Sequence, residues 1–376
     1  MLDVVIVGAG PVGMFMGALL LRSGLKVRIL ERRTSRSARS RAIGIHPPAL
    51  AELERAGIAR ELVSAGVRIK RGVAYSQRRK VAELRFSGDP LFPFILAVPQ
   101  TVTEKVLEDA VLGLDPAAIV RGVEVKEALD DDTSVRVTAD SSGGRQEFTA
   151  RLVIAADGAH SSLRHQHVPD IQPRTYPDSY LMGDFPDSTG HGADAVLYLE
   201  PGGIVESFPL PGGVRRWVVR LGGPATDATP AGLAGLVRAR TGEVLDAAGN
   251  SMLSAFEVES RLAPRMIHGR MALLGDAAHE ISPIGGQGMN LGWLDAAALA
   301  PIIAASMAGT DVGASLENFE RSRRKAAVRA SRQAGLNMAL GRPLPPAAMA
   351  ARNRLFAGLL GVPGVAQMVE RRFTMR

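Results

Sequence analysis

Apolar positions come in short runs separated by glycine. Residues 3–10, DVVIVGAG, form a β-branched apolar stretch that ends in glycine. Such a run marks a strand buried on both faces, as in a parallel sheet. GPVGMFMGALLLRSG then predicts a helix closed by Gly24, and KVRILE predicts a second strand. Together they form one βαβ unit of about 30 residues. PPALAELERAG predicts a helix opened by proline and ended by Gly57. From 69 to 99, apolar and polar residues alternate among several prolines, which predicts antiparallel strands outside the parallel sheet. QTVTEKVLEDAVLG returns to helix, and ARLVIAADGAHSSLR reads as strand, turn and helix.

The texture changes between 172 and 269. Prolines and paired glycines punctuate the short strands AVLYLE, GIVESFPL and RRWVVRL, predicting a sheet-rich lobe with tight turns. RMALLGDAAH restores a buried strand, with helices from there to the C-terminus. The pattern predicts an α/β fold of two parts. A Rossmann-like domain with a parallel sheet comprises 1–68, 100–171 and 270–376, including the C-terminal helices. A sheet-rich α+β domain, formed by 69–99 and 172–269, is inserted into it.

Composition narrows the function. The chain has 376 residues, enough for two lobes, and no cysteine, which excludes disulfides, thiolate metal sites and a thiol nucleophile. This suits a reducing cytoplasm, the expected location. Met1 leads directly into the first strand without a basic leader, so no signal peptide is expected. Apolar stretches are broken by Gly, Pro or charge well short of about 18 residues, so no transmembrane segment is expected. The net charge of +7 reads as an arginine-rich solvated exterior, and no nucleic-acid signature accompanies it. Arg32, Arg33, Arg36 and Arg39 lie in the basic loop RRTSRSARSR, a solvated loop whose alternative role is attracting phosphates. None of the seven histidines has partners at ligand spacing, so no metal is expected. His279 reads as a packing residue.

The chemistry begins with Gly8, Gly10 and Gly13, a G-x-G-x-x-G pattern between strand and helix. The first glycine permits the tight turn, the second lets a pyrophosphate approach, and the third allows close helix–strand packing. Free N–H groups at the helix start favour the phosphates. Glu31 ends the second strand, where a carboxylate can accept ribose hydroxyls. An acid there fits FAD and NAD and fits NADP poorly.

Two further motifs end strands. AADGAHSSLR carries Asp157, Gly158, Ser161 and Arg164 in D-G-x-x-S-x-x-R spacing, and GDAAHEISPIGGQGMN runs from Gly275 to Asn290. In order and spacing, the three motifs resemble the FAD-dependent aromatic hydroxylases. These are the single-component flavoprotein monooxygenases related to para-hydroxybenzoate hydroxylase and the ubiquinone-pathway hydroxylases. The resemblance runs from residue 1 to about 330. It includes RAIGIHPPALAELERAG, in which Arg41 would contact FAD, and VPQTVTEKVLEDA, in which Gln100 would do so.

The resemblance implies that Asp276 accepts the ribityl hydroxyls. Pro283, Gly286, Gln287, Gly288, Met289 and Asn290 would line the isoalloxazine, with a helix starting near Gly288 stabilising negative charge near N1. Asp157 and Gly158 would serve FAD and NAD(P)H together. The implied reaction uses NADPH or NADH and O2 to hydroxylate an electron-rich aromatic or polycyclic small molecule through a C4a-hydroperoxyflavin. No catalytic side chain is assigned. Substrate contacts are expected from Tyr180, Met182, Tyr198, Glu206, Phe208, Arg215, Trp217 and Arg220. Alternation puts Arg215 and Trp217 on one strand face and Arg216 and Val218 on the other.

The alternative is an FAD-dependent reductase of the geranylgeranyl-reductase type, against which the P-x-G-G-Q-G-x-N loop argues. A chain ending at 376 is expected to lack the thioredoxin-like third domain of longer relatives. Its tail, RNRLFAGLLGVPGVAQMVERRFTMR, is expected to be a packed helix pair, with peripheral membrane contact as the alternative. A monomer or a homodimer fits equally.

Overall fold

The computed structural model describes all residues except 37–40, 170, 226–227 and 361, so Arg39 lies outside the described residues. The strand Leu2–Val7 lies at the centre of an eight-stranded sheet, and Val4, Val5 and Ile6 are fully buried. Val27–Glu31 and Ile119–Arg121 follow on one side in parallel, and Gly144–Ala155 and Met271–Leu273 on the other. The helix Pro11–Arg22 returns the chain between the first two strands. A Cβ built on its Gly17 would lie 2.5 Å from Ile29 Cδ1, so glycine sets the helix-to-sheet distance. One feature of this sheet is absent from the sequence reading. Val123–Asp130 and Val135–Ser141 form an antiparallel ribbon that pairs with the early half of Gly144–Ala155.

A second eight-stranded sheet joins Arg71–Ser76 and Arg79–Arg85 to strands between Arg174 and Leu262, ending on the two-residue strand His279–Glu280. It is antiparallel except where Ala195–Tyr198 runs parallel to Arg71–Ser76. The helix Pro230–Thr241, which the sequence pattern does not single out, covers one face. Its Leu233 and Val237 pack with Leu181, Phe185, Tyr198, Trp217 and Val219. A small three-stranded sheet has the order Gly44–Ile45, Ile95–Ala97, Val67–Ile69.

The helix Gly288–Met307 is long and apolar enough to cross a membrane by length and composition. Here it is a core helix of the first lobe, where Leu291, Trp293, Ala296, Leu299 and Ile303 are buried, and it carries a buried Asp295. Gly313–Leu340 follows, then Pro346–Leu360 and Pro363–Phe373. From the sequence this tail is expected to belong to the first lobe. The structure packs it against the second: Phe373 stacks on Phe86 at 5.7 Å, and Glu370 accepts the N–H groups of Ser87 and Gly88 at 3.0 and 2.8 Å.

Candidate functional site

The three opening glycines do different work. Gly8 has φ +105°, and a Cβ there would strike the Ala156 carbonyl. A Cβ on Gly13 would strike the carbonyl oxygen of Gly8. Gly10 faces open space, with nothing within 4 Å. It caps the helix without a side chain, and Pro11 occupies the first turn, leaving the N-terminal N–H groups of Val12 and Gly13 for a ligand. Glu31 accepts the Ala9 N–H at 2.9 Å and pairs with Arg33 at 2.8 Å. Burial opposes its charge, but the bonds from Arg33 and Ala9 outweigh burial and hold the carboxyl below its usual range.

The second glycine-rich loop folds onto the first. Gly275 has φ +60° and packs on Val12, and a Cβ on Gly292 would lie 2.5 Å from Val12 Cγ2. Trp293 Nε1 donates to the Pro11 carbonyl at 3.0 Å. Asp276 therefore stands close to the opening turn. Its carboxylate has no hydrogen-bond partner among the described residues and is exposed to the cavity rather than packed. Its depth in the protein pushes the carboxyl pKa up, with His279 and Arg164 partly offsetting this. A Cβ on Gly288, the first residue of the helix, would lie 3.8 Å from Asp276 Oδ1. Gly285 and Gly286 have φ of +99° and +67°, conformations that glycine adopts without strain.

His46, not found by sequence reasoning, holds this loop from the other side. Its Nε2 donates to the Gly285 carbonyl at 3.2 Å, and burial lowers its pKa to about 4, so the ring is neutral. Asn290 is fully buried and takes its bonds within the protein. It accepts from His46 N at 2.8 Å and donates to the Gly44 and Gly286 carbonyls at 2.9 and 2.7 Å. It shapes the loop and does not line the cavity, and Gln287, 4% exposed, is likewise turned inward.

Arg164 fastens two turns together. It donates to the Ala159 carbonyl at 2.6 Å and to the Asp276 and Ala277 carbonyls at 3.3 Å, while Ser161 caps its N–H at 2.9 Å. Asp157 accepts from Ser162 N at 3.1 Å, and its other oxygen is buried without a partner. Burial raises its pKa. His279 bonds the buried Asp295, which also takes Arg323 at 2.5 Å. Burial works against a charged imidazole, but Asp295 prevails and raises its pKa. Among the described residues, no group of three His, Asp or Glu could hold a metal. Of the basic loop, Arg33 pairs with Glu31 and Arg36 lies 3.7 Å from Glu108.

A cavity of about 1000 Å³ connects these parts. Gly10, Arg41, Gln100, Gly158, Asp276, Pro283, Gly286, Gly288 and Met289 line it, whereas Gly8, Gly13, Glu31 and Asp157 stand behind its wall. The second sheet closes the far end with Met182, Glu206, Phe208, Arg216 and Val218. Tyr198, Arg215 and Trp217, expected to touch substrate, face the other way. Trp217 stacks on Tyr198 at 6.0 Å beneath the helix Pro230–Thr241, and Arg215 pairs with Asp187 at 3.1 Å. Tyr180 and Arg220 share the cavity-side face but lie outside its lining. Tyr180 stacks on Phe256 at 5.6 Å, and Arg220 pairs with Asp178 at 2.7 Å.

Arg216, not among the expected substrate contacts, grips Asp184 with two bonds of 2.7 and 2.8 Å and donates to the Arg41 carbonyl at 2.6 Å. It ties the sheet wall to the Arg41 segment. Helices of the C-terminal tail supply the remaining wall, including Phe356, Leu359 and Met368.

Known proteins resemble this chain. The uncharacterized aromatic compound monooxygenase YhjG of Bacillus subtilis (strain 168) is 30% identical over 341 residues, covering 86% of this chain and 66% of its own. The 6-methylpretetramide 4-monooxygenase of Streptomyces rimosus is 30% identical over 79% of this chain and 55% of its own. The chain thus spans less than two thirds of the length of these two relatives. Among solved structures, p-nitrophenol 4-monooxygenase from Pseudomonas putida superposes with a TM-score of 0.89 at 24% identity, covering 100% of this chain and 98% of the other. That likeness establishes the fold. A family model described as FAD binding domain matches residues 1–334. The chain belongs to this FAD-binding family, whose members include the aromatic monooxygenases and hydroxylases.

Proposed function

We propose that this protein is an FAD-dependent monooxygenase that uses NAD(P)H and O2 to hydroxylate an electron-rich aromatic or polycyclic small molecule. The observation that carries the reading is Asp276, a carboxylate without a protein partner between two glycine-rich helix starts, at the edge of an apolar cavity. FAD fits the residues present. Gly10 leaves room for a pyrophosphate against the N–H groups of Val12 and Gly13, and Asp276 offers two acceptors to ribityl hydroxyls. Pro283, Gly286 and Gly288 would lie against the isoalloxazine, and Arg41, Gln100 and Met289 would complete the enclosure.

Bound FAD supplies hydride acceptance from NAD(P)H and activation of O2. The chain's own residues position and enclose. The helix beginning at Gly288 would offer its N-terminal dipole to negative charge on the ring. Met182, Phe208, Val218 and Phe256 hold an aromatic substrate and exclude water. The names of the relatives, an aromatic compound monooxygenase and a 6-methylpretetramide monooxygenase, support an aromatic substrate. The test is purification followed by flavin absorbance, then NADPH and NADH oxidation with O2 uptake in the presence of phenolic compounds. Oxidation stimulated by a phenol, with one oxygen atom gained in the product, supports the reading. Product formation without O2 points to the reductase, and a protein that takes up no added FAD overturns both.

A further inference from the structure

The far end of the cavity is walled by Ala74, Leu197, Leu199, Ile204, Phe208 and Val218. Into this apolar end projects one carboxyl, Glu206, only 8% exposed. It makes no hydrogen bond or ion pair with any described residue. The charges around it are committed elsewhere. On the neighbouring strands, Arg216 holds Asp184 and Arg220 holds Asp178, which also takes Arg342 from the turn after the helix Gly313–Leu340. On the outer hairpin, Glu83 is held by Lys80 and Arg85, and on the far strand Glu259 and Glu280 are held by Arg261. Arg41, Glu257 and Arg372 also line the cavity, at its other walls. The Tyr180 hydroxyl lies close enough to interact with Glu206, but it is buried without a hydrogen-bond partner.

An unpartnered carboxyl in an apolar wall costs stability on folding, and nothing in the protein repays it. A ligand can. With no cation beside it and no hydrogen bond donated to it, the group favours its neutral form, and burial raises its pKa to about 7. A neutral carboxyl has one O–H to donate. We infer that Glu206 is a substrate-positioning residue that donates a hydrogen bond to a carbonyl or phenolic oxygen of an uncharged, planar, otherwise apolar substrate. The inference rests on the hydroxylase reading above and adds the substrate class to it. A ring system held by that one bond would be oriented by it, because the surrounding Leu, Ile, Val and Phe contacts have no direction.

The test compares 9-fluorenone with fluorene, which differ by one carbonyl, in equilibrium dialysis against the FAD-loaded protein. The wild type is expected to prefer fluorenone by about threefold to tenfold, the worth of one net hydrogen bond. E206Q, which keeps an N–H donor, retains most of that preference. E206L and E206M lose it while binding fluorene at least as well. The inference is overturned by an unchanged preference in the Leu and Met variants, or by none in the wild type. It is equally overturned if 9-aminofluorene binds best and depends on Glu206, which would make the group an anion for cationic substrates. Flavin absorbance of the same samples separates the two readings. A protein without FAD counts against the proposed function, while its preference between the two ring systems still reports on Glu206.

Discussion

The indole N–H of Trp293 donates to the carbonyl of Pro11 at 3.0 Å, joining residues 282 positions apart. One lies in the first turn after the opening glycines, the other in the first turns after the second glycine loop. The bond therefore sets the distance between two helix starts that would share one cofactor. In Trp293→Phe the ring still packs edge-on to Phe15, but the bond to the Pro11 carbonyl is lost. The expected cost is about 1–2 kcal/mol in urea unfolding, with weaker FAD retention. Unchanged stability together with unchanged FAD affinity would show that the bond does not set the spacing.

Gly10 and Gly13 separate geometry from ligand binding. A methyl group on Gly13 has no space, because it meets backbone rather than a movable side chain. Gly13→Ala is expected to cost on the order of 3 kcal/mol or to prevent folding. Gly10 has φ −79° and open space around its would-be Cβ, so Gly10→Ala should fold with a normal melting temperature. The methyl would instead occupy the approach to the pyrophosphate and lower FAD affinity at least tenfold. Melting curves and flavin titrations of both variants test the contrast, which fails if Gly10→Ala binds FAD normally.

How much of this was legible in the sequence depends on the range of the forces involved. Glycine turns are local, since Gly8 and Gly275 must adopt positive φ wherever the chain goes, and their spacing announces them. Alternation correctly separates Arg215 and Trp217 from Arg216 and Val218, but it carries no label for which face meets the cavity. That choice belongs to the helix Pro230–Thr241, which buries Trp217 on the far side and leaves Arg216 on the wall. The role of Asn290 is hidden from the sequence for a similar reason. The motif flags Asn290 as a ligand residue, yet its three bonds reach Gly44, His46 and Gly286, contacts that exist only after folding.

Asp276 allows cofactor binding to be tested apart from fold stability. Its side chain has no hydrogen-bond partner among the described residues, so Asp276→Ala removes no hydrogen bond or ion pair, only its weaker attraction to His279 and Arg164. Its depth also raises its pKa, a sign that the charge is held at some cost. The variant should therefore melt at or above the wild-type apoprotein temperature. FAD affinity should nevertheless fall by about tenfold to a hundredfold, the loss of one charge-assisted hydrogen bond. Near-normal flavin content after purification would remove Asp276 from the cofactor site.

Glu206 gives the cavity a pH signature even without a ligand. Its ordinary value of 4.5 is raised to about 7 in the folded protein by burial. Below about pH 4.5 the carboxyl is protonated in both states and contributes no pH dependence. Between 4.5 and 7 the unfolded chain gives up its proton while the folded chain keeps it, so stability falls as pH rises. Above 7 the loss is complete, at most about 3 kcal/mol, because water in the cavity screens part of the charge. Glu206→Gln lacks the titration and should gain stability over wild type as pH increases. Urea unfolding of both apoproteins at pH 5 and pH 8 measures this directly. A wild-type-to-variant difference that is equal at the two pH values would mean that Glu206 does not hold its proton in the fold.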